Sequence, residues 1–261
     1  MTIPAWLQHF VNTRVYSPLD LFFFSIGFIC WVLAYLEIIY NVKKYKFVDM
    51  PIISATANIV WEFLWSFVFI INVGPAGVWG VRIWFFLDVI INASLLLYGN
   101  RQIVIPEFKK YSILIFLFLL LSWSGILYSF VYMKLDNGMG AVTAMITNVV
   151  MSILYILMVF RKPDIWRISV RTAWYKFLGT GSITAISFHI FRSNYFLLCI
   201  GMIAGILDIY YIYLLSYLKT FKGARQHSLQ KRNTILKEAG FDPLDPDMPI
   251  TVKTPFLPLT K

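Results

Sequence analysis

Three carboxyl groups stand where a charge is hardest to keep: Glu62, Asp88 and Asp208, each deep in an apolar run of the sequence. Glu62 lies about 11 residues into the run from Pro51 to Val73, roughly 16 Å at ~1.5 Å per residue and so near the middle of a hydrocarbon core. An acid at that depth must face a bundle interior, be paired or stay protonated, which makes it a functional-site candidate. Asn58 precedes Glu62 by one helical turn, so the spacing puts amide and carboxyl on one face within hydrogen-bonding reach. Trp61 and Trp65 bring indole rings beside that face. Asp88 sits about ten residues into a later run, one turn before Asn92 and one turn after Trp84. Asp208 follows Gly201 and Gly205 in the last run and precedes Tyr210 and Tyr211.

A carboxylic acid held neutral in a dry pocket can donate a proton to a weak base such as an epoxide or a terminal alkene. Aromatic faces then stabilise the resulting carbocation without capturing it, and their bulk keeps out the water that would quench it. The same residue types fit two other jobs. Intramembrane acids relay protons or hold a solute in transporters and receptors, where Asn92 and Asp208 would make a midplane site, and buried carboxyl and amide groups also hold helices together.

Composition limits what can surround these groups. With 59% hydrophobic, 18% aromatic and only 14% charged residues, the chain reads as all-α and polytopic, embedded in a lipid bilayer. Spanning segments are predicted at Leu19–Tyr40, Pro51–Val73, Val78–Tyr98, Tyr111–Met133, Gly140–Phe160, Thr172–Phe191 and Tyr195–Leu218, a seven-helix bundle. The expected division is an outer segment 1–18, a membrane domain 19–218, and a tail 219–261 that is first basic and then rich in Asp and Pro. Lys and Arg gather after the first, third and fifth segments and in the tail, while only Arg14, Arg82, Lys134 and Arg192 fall on the other side. The positive-inside rule then places the N-terminus outside and the C-terminus in the cytoplasm. The first segment is too long for a signal h-region and lacks a basic leader, so it is expected to stay in the chain.

The net charge of +10 is explained by this topology, and no nucleic-acid-binding motif accompanies it. Cys30 and Cys199 both fall inside helices, and His9, His189 and His227 have no ligand spacing, so neither a disulfide framework nor a metal site is expected. The last segment has no Lys for a retinal Schiff base. Phosphate loops, serine-nucleophile elbows and HExxH patterns are missing, as are the aspartate-rich magnesium motif and the DxDD motif of soluble terpene synthases. Glu37 is expected to pair with Lys43 and Lys44, and Asp88 with Arg82 or Asn92. The fourth segment looks like a packing element, and Asn148 and Thr180 to Thr184 like neutral glue. Leu87-Asp88 and Leu207-Asp208 form a weak echo between two helices of the same direction.

Asn58-x-x-Trp61-Glu62 in the second segment, together with one Asp in the last, here Asp208, resembles the small seven-helix integral-membrane terpene cyclases of meroterpenoid and indole-terpenoid biosynthesis, the Pyr4 family. The resemblance covers most of the membrane region and leaves out the tail from Phe221. It implies a cyclase needing no metal or other cofactor, acting on a prenylated small molecule. Glu62 and Asp208 match the two acidic positions held essential in that family. The roles expected on this reading are Glu62 as proton donor, Asp208 as its partner, and Asn58 as its orienter. Trp61, Trp65, Trp84, Asp88, Asn92 and Tyr211 are expected to line the substrate site.

Overall fold

The computed structural model describes residues 5–103, 105–161 and 167–238. Among them there are only helices and connecting loops: α1 (Ala5–Phe10), α2 (Pro18–Tyr45), α3 (Ile52–Phe63), a π-helical turn (Leu64–Val68), α4 (Pro75–Tyr98), a 3-10 turn (Gly99–Gln102), α5 (Pro106–Lys109), α6 (Ser112–Tyr132), α7 (Ala141–Arg161), α8 (Val170–Ile190) and α9 (Tyr195–Glu238). Each predicted segment overlaps one of α2, α3, α4, α6, α7, α8 and α9. Five of these, namely α2, α4, α6, α7 and α9 as far as Thr220, are long and apolar enough to cross a membrane.

The other two depart from expectation for local reasons. Pro51–Val73 is not one straight helix. α3 ends at Phe63, the π turn carries the chain to Val68, and Ile70 takes a left-handed φ of 55° that reverses it. The apolar helical piece is therefore only Ile52–Val68, and Glu62 sits in its second half. π turns of this kind occur frequently at functional sites. α8 is long enough, but it carries Arg171 and Lys176 and buries Thr172, Thr180, Ser182 and Ser187 with Lys176.

Helix ends follow from side-chain chemistry. Ser17 caps α2, accepting from the Asp20 amide while the Asp20 carboxylate accepts the Ser17 amide at 2.8 Å, and Pro18 supplies a preset φ in the first turn. Gly74 precedes α4 with φ 103°, and a Cβ there would lie 2.8 Å from the Phe10 carbonyl, so only glycine fits. Asp136 and Asn137 cap α7: Asp136 accepts the amides of Val142 and Thr143 at 2.9 Å, and Asn137 that of Ala141 at 3.1 Å. Burial pushes the Asp136 carboxyl up in pKa, against the hydrogen bonds from Thr143, Val142 and Asn137 that lower it.

α2 lies along α8, and α3 is wedged among α4, α6 and α7. α2 and α8 approach closely at Gly27 and Gly179: a Cβ on Gly179 would fall 2.7 Å from the Trp31 ring. Of the small pair in α9, Gly201 meets Thr184 of α8, while Gly205 faces open space. α6 buries only Phe116 and Leu127, consistent with an outer packing element. Among the described residues, those to Leu215 form one compact unit and those from Ser216 another. The basic stretch expected as tail is helical as far as Glu238, and the Asp/Pro-rich stretch beyond it lies outside the described residues.

Candidate functional site

Glu62 is 1% exposed and lines a narrow, mostly apolar cavity of about 60 Å³. Asn58 and Trp61 of α3 reach the same cavity, as do Trp31 and Tyr35 of α2 and Trp84 of α4. Ile71 and Met139 line it from loops, and Asn148 of α7 and Thr180 of α8 supply polar groups. Asn58, Trp61 and Glu62 are thus brought together as their helical spacing predicts.

Their hydrogen bonds differ from the expected ones. Asn58 does not bond Glu62 directly. Its amide donates to the Tyr35 hydroxyl, which donates to Glu62 Oε1 at 2.6 Å, so an α2 phenol is inserted between the two α3 side chains. Glu62 Oε2 is buried with no hydrogen-bond partner among the described residues. Trp61 is fixed by Nε1 donating to the Gly140 carbonyl at 3.2 Å and Thr143 Oγ1 at 3.0 Å. Trp65 does not line the cavity. Its ring packs against Gly140, where φ is 70° and a Cβ would lie 2.5 Å away.

Asp88 is 0% exposed, and neither carboxyl oxygen has a hydrogen-bond partner among the described residues. The expected pairings do not form. Arg82 instead donates to the Ser66 carbonyl at 3.4 Å, and Asn92 donates to the backbone carbonyls of Asp88 at 3.0 Å and Ala55 at 3.3 Å. The last bond sets the α3–α4 register. With Asn92 opposite Ala55, antiparallel α4 carries Asp88 and then Trp84 toward the Asn58–Glu62 stretch. Asp88 and Glu62 are close enough to interact electrostatically, although Asp88 itself does not line the cavity.

Asp208 also lies off the cavity wall, and its direct partner is Lys176 rather than Glu62. Lys176 Nζ stands 2.7 Å from Asp208 Oδ1, 2.9 Å from Oδ2 and 2.7 Å from Ser152 Oγ, with both side chains 2% exposed. Ser152 Oγ is 2.7 Å from Asp208 Oδ1 and 2.8 Å from the Asn148 carbonyl, and Asn148 Oδ1 accepts from Thr180 at 3.1 Å. Asn148 and Thr180, predicted as glue, thus do join two helices but also form cavity wall next to this cluster. Tyr211 packs on Tyr155 at 5.1 Å between ring centres and is likewise off the cavity.

Glu37 is ion-paired, but with Arg171 of α8 at 3.0 Å and not with Lys43 or Lys44, because α8 runs alongside α2. His189 pairs with Asp20 at 2.7 Å between the same two helices. Sequence reasoning missed Tyr35 and Lys176. Lys176 had a readable signal, since a Lys inside an apolar segment needs a carboxylate in the bundle. Tyr35 had none beyond being aromatic.

Asn72 ties one end of the site together. Its amide donates to the Gly138 carbonyl at 2.9 Å, its side-chain oxygen accepts from Tyr16 at 2.6 Å, and its carbonyl accepts from Asn12 at 3.0 Å. This knots the chain before α2 to the two loops that carry Ile71 and Met139. Burial, with a smaller push from Asp20, raises the Tyr16 phenol pKa to about 12, so it remains a donor.

No curated protein and no solved structure matches the chain. Residues 12–221 match a protein family described as Pyr4-like transmembrane terpene cyclases.

Proposed function

Because this integral, multi-pass membrane protein belongs to the Pyr4-like transmembrane terpene cyclases, we propose that its cavity folds the prenyl chain of a small-molecule substrate and cyclises it by protonation. The observation that carries this reading is one acid with a vacant buried oxygen, Glu62, in the wall of an apolar cavity faced by Trp31, Trp61 and Trp84. α2, α3 with its π turn, α4, α6, α7, α8 and α9 all cross the bilayer on this reading, with the N-terminus outside.

Glu62 carries the initiating proton on Oε2, while the hydroxyl of Tyr35 fixes Oε1 and the amide of Asn58 fixes Tyr35. Proton transfer to an epoxide oxygen opens the C–O bond, and the chain's alkenes close on the carbocation in turn. The indole faces stabilise that charge without adding a nucleophile. Asp208, its oxygens taken up by Lys176 and Ser152 and off the cavity wall, is not placed to donate the first proton. It lies behind the Asn148–Thr180 wall and sets the field there, and the proton released when the last cation becomes an alkene returns to the Glu62 carboxylate. The overall reaction is an isomerisation, and no metal takes part.

Membranes containing the protein, supplied with a farnesylated aromatic bearing a terminal epoxide, should give a cyclic product of unchanged mass, with EDTA having no effect. Release of pyrophosphate with strict magnesium dependence, or no conversion of any prenylated substrate, would refute the reading.

A further inference from the structure

The cavity borders an apolar groove between α2 and α4, with about 1280 Å³ of open space. Phe22, Ser25 and Ile29 of α2 and Ala76 of α4 line its exposed side. Three aromatic side chains stand between groove and cavity. Phe24 lines both spaces. Phe28, in the groove, packs its ring on that of Trp84, in the cavity wall, at 5.6 Å between centres, and Trp84 Nε1 donates to the Phe28 carbonyl at 3.4 Å. Gly80 leaves bare backbone under Phe28, where even a Cβ would come within 3.2 Å of that ring. The partition is made of side chains able to change rotamer, over a floor lowered by glycine.

A second apolar groove, between α3, α4 and α6, has about 870 Å³ of open space but shares no lining residue with the cavity. A groove lined by His9, Arg14 and Arg82 also meets the cavity, at Ile71, but its charged lining does not suit a hydrocarbon chain; of the two apolar grooves, continuity picks the one between α2 and α4. Building on the cyclase reading above, we propose that this groove is the lateral entrance and first binding site for the polyprenyl chain of a lipid-dissolved substrate, which passes between Phe24, Phe28 and Trp84 to reach Glu62. The match is chemical as well as spatial: the groove is almost wholly apolar and opens on a side where Leu19, Phe22, Ile29, Trp79 and Ile83 are exposed, a surface suited to bilayer hydrocarbon.

The test uses the full chain in membranes. Ala76→Phe and Ser25→Phe fill the groove mouth from exposed positions, and Gly125→Phe fills the other groove, where a Cβ meets nothing within 4 Å. With the farnesylated aromatic epoxide, the first two should lower kcat/KM about tenfold or more with kcat nearly kept, whereas Gly125→Phe should leave both unchanged. A diazirine-bearing farnesol should photolabel peptides covering 21–29 and 73–83 in the wild type, and labelling should fall by a similar factor in Ala76→Phe. Unchanged kinetics in both mouth variants, labelling confined to the Gly125 groove, or label displaced by phospholipid but not by excess farnesol would each overturn the entrance. Groove labelling by a protein that cyclises nothing would instead sink the cyclase reading and leave the prenyl-binding groove standing.

Discussion

Removing both members of the buried Lys176–Asp208 pair separates what holds the bundle together from what performs the reaction. Each side chain is 2% exposed and 2.7 Å from its partner, so deleting one charge leaves the other stranded. Breaking such a pair costs about 3–5 kcal/mol, which at roughly 2–4 °C per kcal/mol lowers Tm by ~6–20 °C. Asp208→Asn and Lys176→Met alone should both show this loss, and a fall in activity from either would be ambiguous. The double variant strands no charge, Met keeps much of the Lys volume, and the amide at position 208 can still meet Ser152. Its Tm should return to within about 1 kcal/mol of wild type, or roughly 2–4 °C. On the proposed mechanism activity should not return with it, because the Asp208 carboxylate behind the Asn148–Thr180 wall is gone. Thermal unfolding in detergent, followed in parallel with product formation by mass spectrometry, gives both readings. If the double variant regains more than about a tenth of wild-type turnover, less than ~1.4 kcal/mol of barrier rests on the Asp208 carboxylate, and the pair is structural only.

Glu62→Gln keeps the bond from Tyr35 but cannot give up a proton, so cyclisation should fall by at least the ~10²- to 10⁴-fold typical of general acid catalysis while Tm holds; a surviving tenth would exclude Glu62 as the initiating acid. Tyr35→Phe removes the hydroxyl between Asn58 and Glu62, leaving buried polar atoms unpaired at about 1–3 kcal/mol, and should lower kcat about 10- to 100-fold; an unchanged kcat would show that Glu62 needs no positioning. Gly140→Ala puts a Cβ against Trp65 at a φ of 70° and should lower Tm by at least the equivalent of ~1 kcal/mol, a result contradicted by an unshifted melting curve.

The helical pattern and the Asn58–Trp61–Glu62 grouping were legible because both live on one helix, where a spacing of three or four residues fixes who shares a face. What crosses between helices was not. Nothing in the local sequence says that α2 will push Tyr35 between Asn58 and Glu62, or that α8 rather than the next loop will answer Glu37. Lys176 escaped a reading that counted positive charges by loop, because it sits within Thr172–Phe191, and so the carboxylate it neutralises was assigned to Glu62 instead. The run Pro51–Val73 looked continuous because hydropathy does not register the widening of one turn.

That widened turn also governs where a cation goes. In the stretch after Phe63 the ladder runs from the Phe69 amide back to the Leu64 carbonyl at 2.8 Å, and from Ile71 to Trp65 at 3.1 Å. The Ser66 carbonyl between them takes its hydrogen bond from Arg82, whose guanidinium also lies over the rings of Phe67 at 5.3 Å and Trp79 at 5.0 Å. The backbone irregularity beside the proposed acid thus occupies the one arginine on α4. A guanidinium free to swing toward Asp88 or Glu62 would hold a carboxylate there in place of a proton. By engaging Arg82, one loosened turn of main chain gives the cation of α4 a partner other than the carboxyls of Glu62 and Asp88.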